Sequence, residues 1–141
     1  MKNSEIIKAL NGIEELFQNR REIKKINPSI KNVPVDINLK IIRNKKSLEA
    51  AYEPYSEVHK EIMSQIEDIS TEKTETLTPE ERERVKSANR QIGELLAAET
   101  PVSLEMIGEK DIERSNLDIE ETASLSFMIC LEETEVCEKQ I

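Results

Sequence analysis

Apolar residues near the start of the chain recur every three or four positions, which is typical of one face of an α-helix. Asn3 or Ser4 can cap the beginning of this helix. The pattern extends to Ile26, and Pro28 ends it because proline has no backbone N–H and restricts the residue before it. The predicted buried face consists of Ile6, Ile7, Leu10, Ile13, Leu16 and Phe17.

Two short strands are predicted where apolar and polar residues alternate. The first alternation runs from Val33 to Ile41, and the second occupies residues 102–106 and ends at Gly108. A period of two is typical of a strand with one buried face. Pro34 places the first alternation at the start of a strand or at the edge of a sheet. We expect the two strands to pair, because a lone edge strand leaves its backbone groups unpaired.

A long helix with a repeat of seven residues follows the first strand. Apolar side chains at this spacing, with Glu and Lys around them, are typical of a face that packs against another helix. Pro54 lies inside the pattern without changing its phase, so we predict one helix with a kink rather than two helices. This face is also a candidate for homo-oligomer formation, and it consists of Ile41, Leu48, Tyr55, Ile62 and Ile69.

Two more helices are predicted in the second half of the chain. Thr78 and Glu81 have the spacing of a capping box, and the last helix begins at Asp118. The polar stretch near residues 68–78 predicts a linker within a single domain of residues 1–141. The predicted fold class is therefore α+β and predominantly helical, with four helices, one of them kinked by proline, and a minimal two-stranded sheet.

The composition favours a folded chain in spite of its high charge. Charged residues make up 35% of the sequence and hydrophobic residues 37%, and tryptophan is absent, so 18 isoleucines and 11 leucines must supply most of the core. This much charge without a pattern would be typical of a disordered chain. Here the apolar residues recur at helical spacing, which favours a folded, helix-rich domain.

Nothing in the sequence favours secretion or membrane insertion. The first 16 residues are too acidic, and too often interrupted by Asn and Gly, for a signal peptide. No apolar run approaches the roughly 20 residues that a membrane span requires. Cys130 and Cys137 have no CxxC spacing and provide no disulfide framework. These features predict a soluble protein of a reducing cytoplasm.

Charge is unevenly distributed along the chain, whose formal net charge is −9. Residues 20–46 contain nine basic and two acidic residues, whereas residues 99–141 contain twelve acidic and three basic ones. Such asymmetry favours an interaction surface on one of the segments. The alternative is that the two segments face each other within the fold.

The residues that most enzyme classes need are missing from this sequence. His59 is the one histidine, and no motif for nucleophilic catalysis surrounds it. Three scattered glycines form neither a P-loop nor a dinucleotide-binding motif. Cys130, Cys137 and His59 lie too far apart in the sequence to predict a zinc site, and the acidic run at residues 132–138 lacks the spacing of an EF-hand. We therefore predict a non-enzymatic protein without a cofactor or a metal site.

A cluster of basic residues is the strongest candidate site. It falls near the predicted start of the long helix, where the helix dipole favours anions. The cluster would bind a phosphate, a small nucleotide or an acidic protein face. The alternative is that these residues are solvated and paired with local acids. The candidate residues are Lys40, Arg43, Lys45, Lys46, Arg20 and Arg21.

Several sequence features together resemble a known group of proteins. The stretch "NVPVDINLKIIRNKKSLEAAYEPYSEVHKEIM" combines a Pro-Val element, a basic turn and an acidic helix that contains Pro-Tyr, and a second valine-containing strand and a Met-Ile pair follow. The corresponding residues are Pro34-Val35, Arg43-Asn44-Lys45, Leu48, Pro54-Tyr55, Val102–Ile107 and Met128-Ile129. This combination resembles a family of small proteins encoded by phages and prophages of Gram-positive bacteria. The resemblance brings no catalytic residues with it.

The resemblance and the charge pattern together imply a phage accessory protein in the host cytoplasm. It would counter host defence without catalysis, either by binding and blocking a host protein or by sequestering a charged signalling nucleotide. The alternative is a structural or assembly accessory protein of the virion. Binding to long nucleic acid is not favoured, because the chain is acidic and no aromatic residues interleave the basic ones.

Overall fold

The computed structural model describes residues 1–69 and 76–131, and these residues are predominantly helical. A 3₁₀ turn at Ser126–Met128 follows the last α-helix. The α-helices are α1 (Asn3–Ile26), α2 (Val35–Ser64), α3 (Pro79–Ala97), α4 (Glu109–Arg114) and α5 (Ile119–Ser124).

Helices α1 and α2 are joined by residues 27–34 and pack against each other. Helix α1 begins at Asn3 and ends at Ile26, close to the predicted bounds, but its N-cap is Lys2 rather than Asn3 or Ser4. Helix α2 continues without interruption through Pro54, which confirms one helix rather than two. The heptad residues from Ile41 to Ile69 are also confirmed as buried, because all of them are at most 9% exposed, although α2 ends at Ser64 and Ile69 lies in the turns that follow it.

Two hydrophobic clusters lie on either side of the middle of α2. The larger cluster combines α1, the first half of α2, residues 102–107 and the segment around α5. The smaller one joins the end of α2 to α3. The chain therefore covers the heptad face itself, and this face is not open to the homo-oligomer that the sequence suggested.

Helix α3 returns to the beginning of α1, where Asn3 connects the two. The backbone N–H of Asn3 donates to the carbonyl oxygen of Ala98 at 3.0 Å, and its Nδ2 donates to that of Leu95 at 2.7 Å. Its Oδ1 accepts a hydrogen bond from the Thr100 hydroxyl at 2.8 Å. Asn3 is buried, so these bonds satisfy polar groups that water does not reach.

The predicted two-stranded sheet is not confirmed, because the described residues contain no strand. Residues 35–41 are the first turns of α2, where Ile37 and Ile41 are buried one turn apart. Residues at positions i and i+4 lie on the same face of a strand and also on the same face of a helix. The positions of Ile37 and Ile41 therefore fitted the wrongly predicted strand as well as the helix. Residues 101–106 form no regular secondary structure. The described part contains two isolated β-bridges, Lys2–Glu99 and Ile107–Ile129.

The shorter elements were predicted less accurately. Helix α3 begins after Thr78 and α5 after Asp118, each with the expected capping box. Helix α5 ends at Ser124, although the apolar pattern continued beyond it. Helix α4 was not predicted. Ile112 is the one apolar residue among its six, so the sequence shows no apolar repeat there. Most of the predicted linker, residues 70–75, lies outside the described residues.

Candidate interaction surface

Three cations of the predicted cluster each bind a different part of the chain itself. Lys40 Nζ donates to the carbonyl oxygen of Met106 at 3.4 Å. Arg43 Nε lies 2.5 Å from a carboxylate oxygen of Glu105. Lys45 Nζ lies 3.1 Å from Glu14 of α1.

The structure does not bring these three cations together around one point. Lys40 and Arg43 point towards the segment at residues 101–106 on one side of α2, and Lys45 points towards α1 on the other side. They also do not lie at a helix start, because α2 begins at Val35 and Asp36 occupies its first turn. The helix-dipole argument for anion binding at these residues was therefore wrong.

Arg20 holds a structural ion pair with Glu121. Its Nη2 donates to Glu121 Oε1 at 3.0 Å, and its Nε lies 2.8 Å from Oε2 without the alignment of a hydrogen bond. The Glu121 side chain is 2% exposed and that of Arg20 is 16% exposed, so water screens this pair weakly. Arg20 also donates to the carbonyl oxygens of Lys31 and Asn116.

Ion pairs within the fold account for part of the charge asymmetry. Arg20–Glu121 and Arg43–Glu105 each join the basic segment to the acidic one. This agrees with the alternative in which the two segments face each other. The asymmetry is consequently not a measure of how much charge is open to a partner.

Six cations of the basic segment form no salt bridge with any described residue. Among these are Arg21 and Lys24 on α1 and Lys46 on α2, all of which are exposed. Arg21 donates a hydrogen bond to Gln18 Oε1 at 2.9 Å. Their charge is therefore directed towards solvent rather than towards a partner within the chain.

A cavity of about 520 Å³ lies between the end of α1 and the beginning of α2. We call it the α1–α2 cavity. Arg21 and Lys24 line it together with apolar atoms of Phe17, Val33 and Ile42. A cavity with apolar walls and a few polar groups is a common form of binding site.

Next to this cavity, α2 exposes a row of apolar side chains that we call the α2 stripe. The exposed fractions are 76% for Val35, 47% for Leu39 and 37% for Ile42. These positions are separated by four and three residues, so they share one helix face, and the buried Ile37 and Ile41 lie on the opposite face. Ile42 belongs to both the stripe and the wall of the cavity.

Sequence reasoning missed the α2 stripe as an exposed apolar surface. The alternation around Pro34 assigned Val35 and Leu39 to the buried face of a strand. The spacing of Val35, Leu39 and Ile42 was the signal that could have found it, because apolar residues at i, i+4 and i+7 form one face of a helix.

Other parts of the described chain offer less specific chemistry. Two shallow grooves of about 710 and 750 Å³ run along α1 beside α5 and share Glu15 and Glu120 in their walls. The ring of His59 stacks on that of Tyr55, with 5.7 Å between the ring centroids. Within residues 1–69 and 76–131, no group of three His, Cys, Asp or Glu side chains is arranged to hold a metal ion.

Comparison with protein-family models, curated proteins and solved structures finds no match to this chain. None of the helices in the described part is both long enough and apolar enough to cross a bilayer.

Proposed function

We propose that this chain is a non-enzymatic binding protein that attaches to a partner protein through the α2 stripe and the adjoining α1–α2 cavity. The observation that carries the proposal is the exposed row Val35, Leu39 and Ile42 beside cations that have no salt bridge within the described chain. An apolar centre with a charged rim is the usual composition of a protein interface.

A protein partner is favoured over a nucleotide because of where the cations lie. A phosphate clamp needs several cations that converge on one anion. Lys40, Arg43 and Lys45 are each bound to a different group of the chain, and Arg20 is bound to Glu121. An apolar stripe contributes nothing to phosphate binding, whereas a protein partner would bury it.

The biological role that we propose follows from the family resemblance. A phage accessory protein in the host cytoplasm can counter host defence by covering the surface of a host protein. Such blockade requires a complementary surface and no catalytic residues. The α2 stripe is the surface that we assign to this role.

Affinity capture from a lysate of a Gram-positive host, followed by mass spectrometry, tests the proposal. The wild-type chain is compared with Leu39→Glu, which places a charge in the stripe. Val58→Glu is the matched control, because Val58 is a similarly exposed apolar residue elsewhere on α2. We expect a protein that the wild type and the control retain and that Leu39→Glu loses. If all three chains retain the same proteins, or none, the proposal is wrong.

Nucleotide sequestration remains the second candidate, because Arg21 and Lys24 both line the α1–α2 cavity. A thermal-shift screen with cyclic and linear nucleotides separates it from protein binding. A rise in melting temperature that Arg21→Glu and Lys24→Glu abolish would favour the nucleotide. Lys110→Glu, which changes an exposed cation of α4 outside this cavity, is the matched control.

A further inference from the structure

We infer that the partner presents an acidic amphipathic helix, which lies along the α2 stripe with its apolar face against Leu39 and Ile42. This inference rests on the proposed function and specifies the chemistry of the partner. It follows from the direction of the stripe, from the elements that surround it and from the charges at its edges.

The geometry of the stripe matches the apolar face of a helix. Its first and last residues are seven positions apart on α2, which is about 10 Å along the helix axis. An amphipathic helix presents its own apolar residues at i, i+3 or i+4, and i+7, with the same repeat. The α1–α2 cavity lies beside Ile42 and offers room for one larger apolar side chain of the partner.

The secondary structure around the stripe favours a helix over an extended peptide. Extended peptides bind by adding a strand to an open sheet edge. The described residues contain no strand, and the elements on which the site is built are α1 and α2. A packed helix needs no backbone hydrogen bonds from the surface that receives it, since its own are satisfied internally.

The charges at the edges of the stripe favour acidic residues in the partner. Arg21 and Lys24 lie on the side of α1, and Lys46 lies one helical turn beyond Ile42. Carboxylates that flank the partner's apolar face can pair with these cations, whereas lysines at the same positions would be repelled.

The stretch from Val35 to Lys46 contains one acidic residue, Asp36, and four basic ones. Asp36 is bound to Arg114, and Glu22 on α1 accepts a hydrogen bond from Gln18. Glu49 is exposed but lies three residues beyond Lys46, past the end of the stripe. The stretch from Val35 to Lys46 is therefore the part of α2 where a negatively charged partner fits best.

The probe for this inference is a displayed library of helical peptides with randomised flanks around a fixed apolar face. The library is selected on the full chain, and the sequences of the enriched peptides are the readout. We expect Asp and Glu to accumulate at the flanks. We expect individual peptides to bind Leu39→Glu at least about tenfold more weakly than the wild type. A fully desolvated anchor residue contributes more than about 1.4 kcal/mol to the binding free energy, which corresponds to a factor of ten in affinity. Val58→Glu should bind like the wild type.

The cations are tested separately with the double variant Arg21→Glu/Lys24→Glu. Selection on this variant should no longer enrich acidic flanks, whereas Lys110→Glu should enrich them as the wild type does. Enrichment of neutral or basic flanks on the wild type would overturn the inference. So would a failure to enrich any peptide, or binding that Leu39→Glu does not weaken.

The two proposals fail in different ways. If lysate capture depends on Leu39 but the captured protein contacts the stripe with a loop or with a basic helix, the proposed function stands and this inference is wrong. If capture is independent of Leu39, the proposed function itself is wrong.

Discussion

The side-chain amide of Asn44 forms with the backbone of Glu105 the two hydrogen bonds that a neighbouring strand would form. Its Nδ2 donates to the carbonyl oxygen of Glu105 at 2.9 Å, and its Oδ1 accepts from the Glu105 N–H at 2.7 Å. Asn44 is 1% exposed, so the pairing takes place inside the protein. The segment at residues 101–106 is thereby attached to α2 without a second strand.

Replacement of Asn44 by alanine should lower the free energy of unfolding by about 2–3 kcal/mol, because it leaves two backbone groups of Glu105 without their partners. Urea denaturation measures this loss. Asn38→Ala is the control and should change stability by less than about 0.5 kcal/mol, since Asn38 makes no side-chain hydrogen bond in the described chain. Equal effects of the two substitutions would contradict the role of Asn44.

Removal of the Glu121 carboxylate should destabilise the protein by about 3–5 kcal/mol, because it leaves the charge of Arg20 with little solvent and without its carboxylate partner. Glu105→Ala breaks the exposed pair with Arg43 and should cost at most about 1 kcal/mol, since water screens that pair. Urea denaturation of each variant, compared with the wild type, measures both losses in the free energy of unfolding. A loss from Glu121→Ala no larger than that from Glu105→Ala would show that burial does not strengthen the first pair.

Much of the helical fold could be predicted from the sequence because it depends on local signals. The capping residues Thr78 and Asp118 and the repeat from Ile41 to Ile69 each act within a few turns of helix. The segment at residues 101–106 could not be predicted correctly, because its partner is a side chain 61 positions away in the sequence. Alternation indicates an extended backbone, but it does not indicate what that backbone binds.

Gly12→Ala should destabilise α1 although alanine favours helices more than glycine does. A methyl group at this position would overlap the backbone carbonyl of Ser124, where α5 crosses α1. We expect a loss of about 1–3 kcal/mol from this overpacking, measured as a lower melting temperature.

Gly93→Ala is the matched control for that substitution. Gly93 lies within α3, and no atom is near the place of an added methyl group. The substitution Gly93→Ala should therefore stabilise the protein by roughly 0.5–1 kcal/mol. If both substitutions raise the melting temperature, the close approach of α5 to α1 is incorrect.

The ion pair between Asp36 and Arg114 predicts a specific dependence on pH. The hydrogen bond from the Arg114 guanidinium lowers the pKa of Asp36 from 3.8 to about 2. A lowered pKa means that the pair stabilises the fold at pH values above about 4. This contribution decreases as the pH falls below 3.8 and is lost once it passes through about 2.

An NMR titration of the Asp36 carboxyl carbon measures this pKa directly. In Arg114→Gln the pKa should return towards 3.8, and the difference in stability between the variant and the wild type should vanish at the acid end of the titration. A pKa of Asp36 near 3.8 in the wild type would contradict the ion pair between Asp36 and Arg114.

The candidate site was harder to predict than the fold. The sequence placed Arg20, Arg43 and Lys45 in one cluster because they belong to one basic segment, residues 20–46. In a helix, neighbours in sequence point in different directions, and long-range acids such as Glu121 and Glu105 decide which cations are paired. Exposure of Leu39 likewise depends on which face of α2 packs against α1.

Hydrogen exchange of the complex with the captured partner tests the central proposal most directly. Amide protection on binding, relative to the free chain, should be confined to residues 17–24 of α1 and 35–46 of α2. Protection that leaves these residues unchanged and appears instead in α3, or along the groove between α1 and α5, would contradict binding through the α2 stripe.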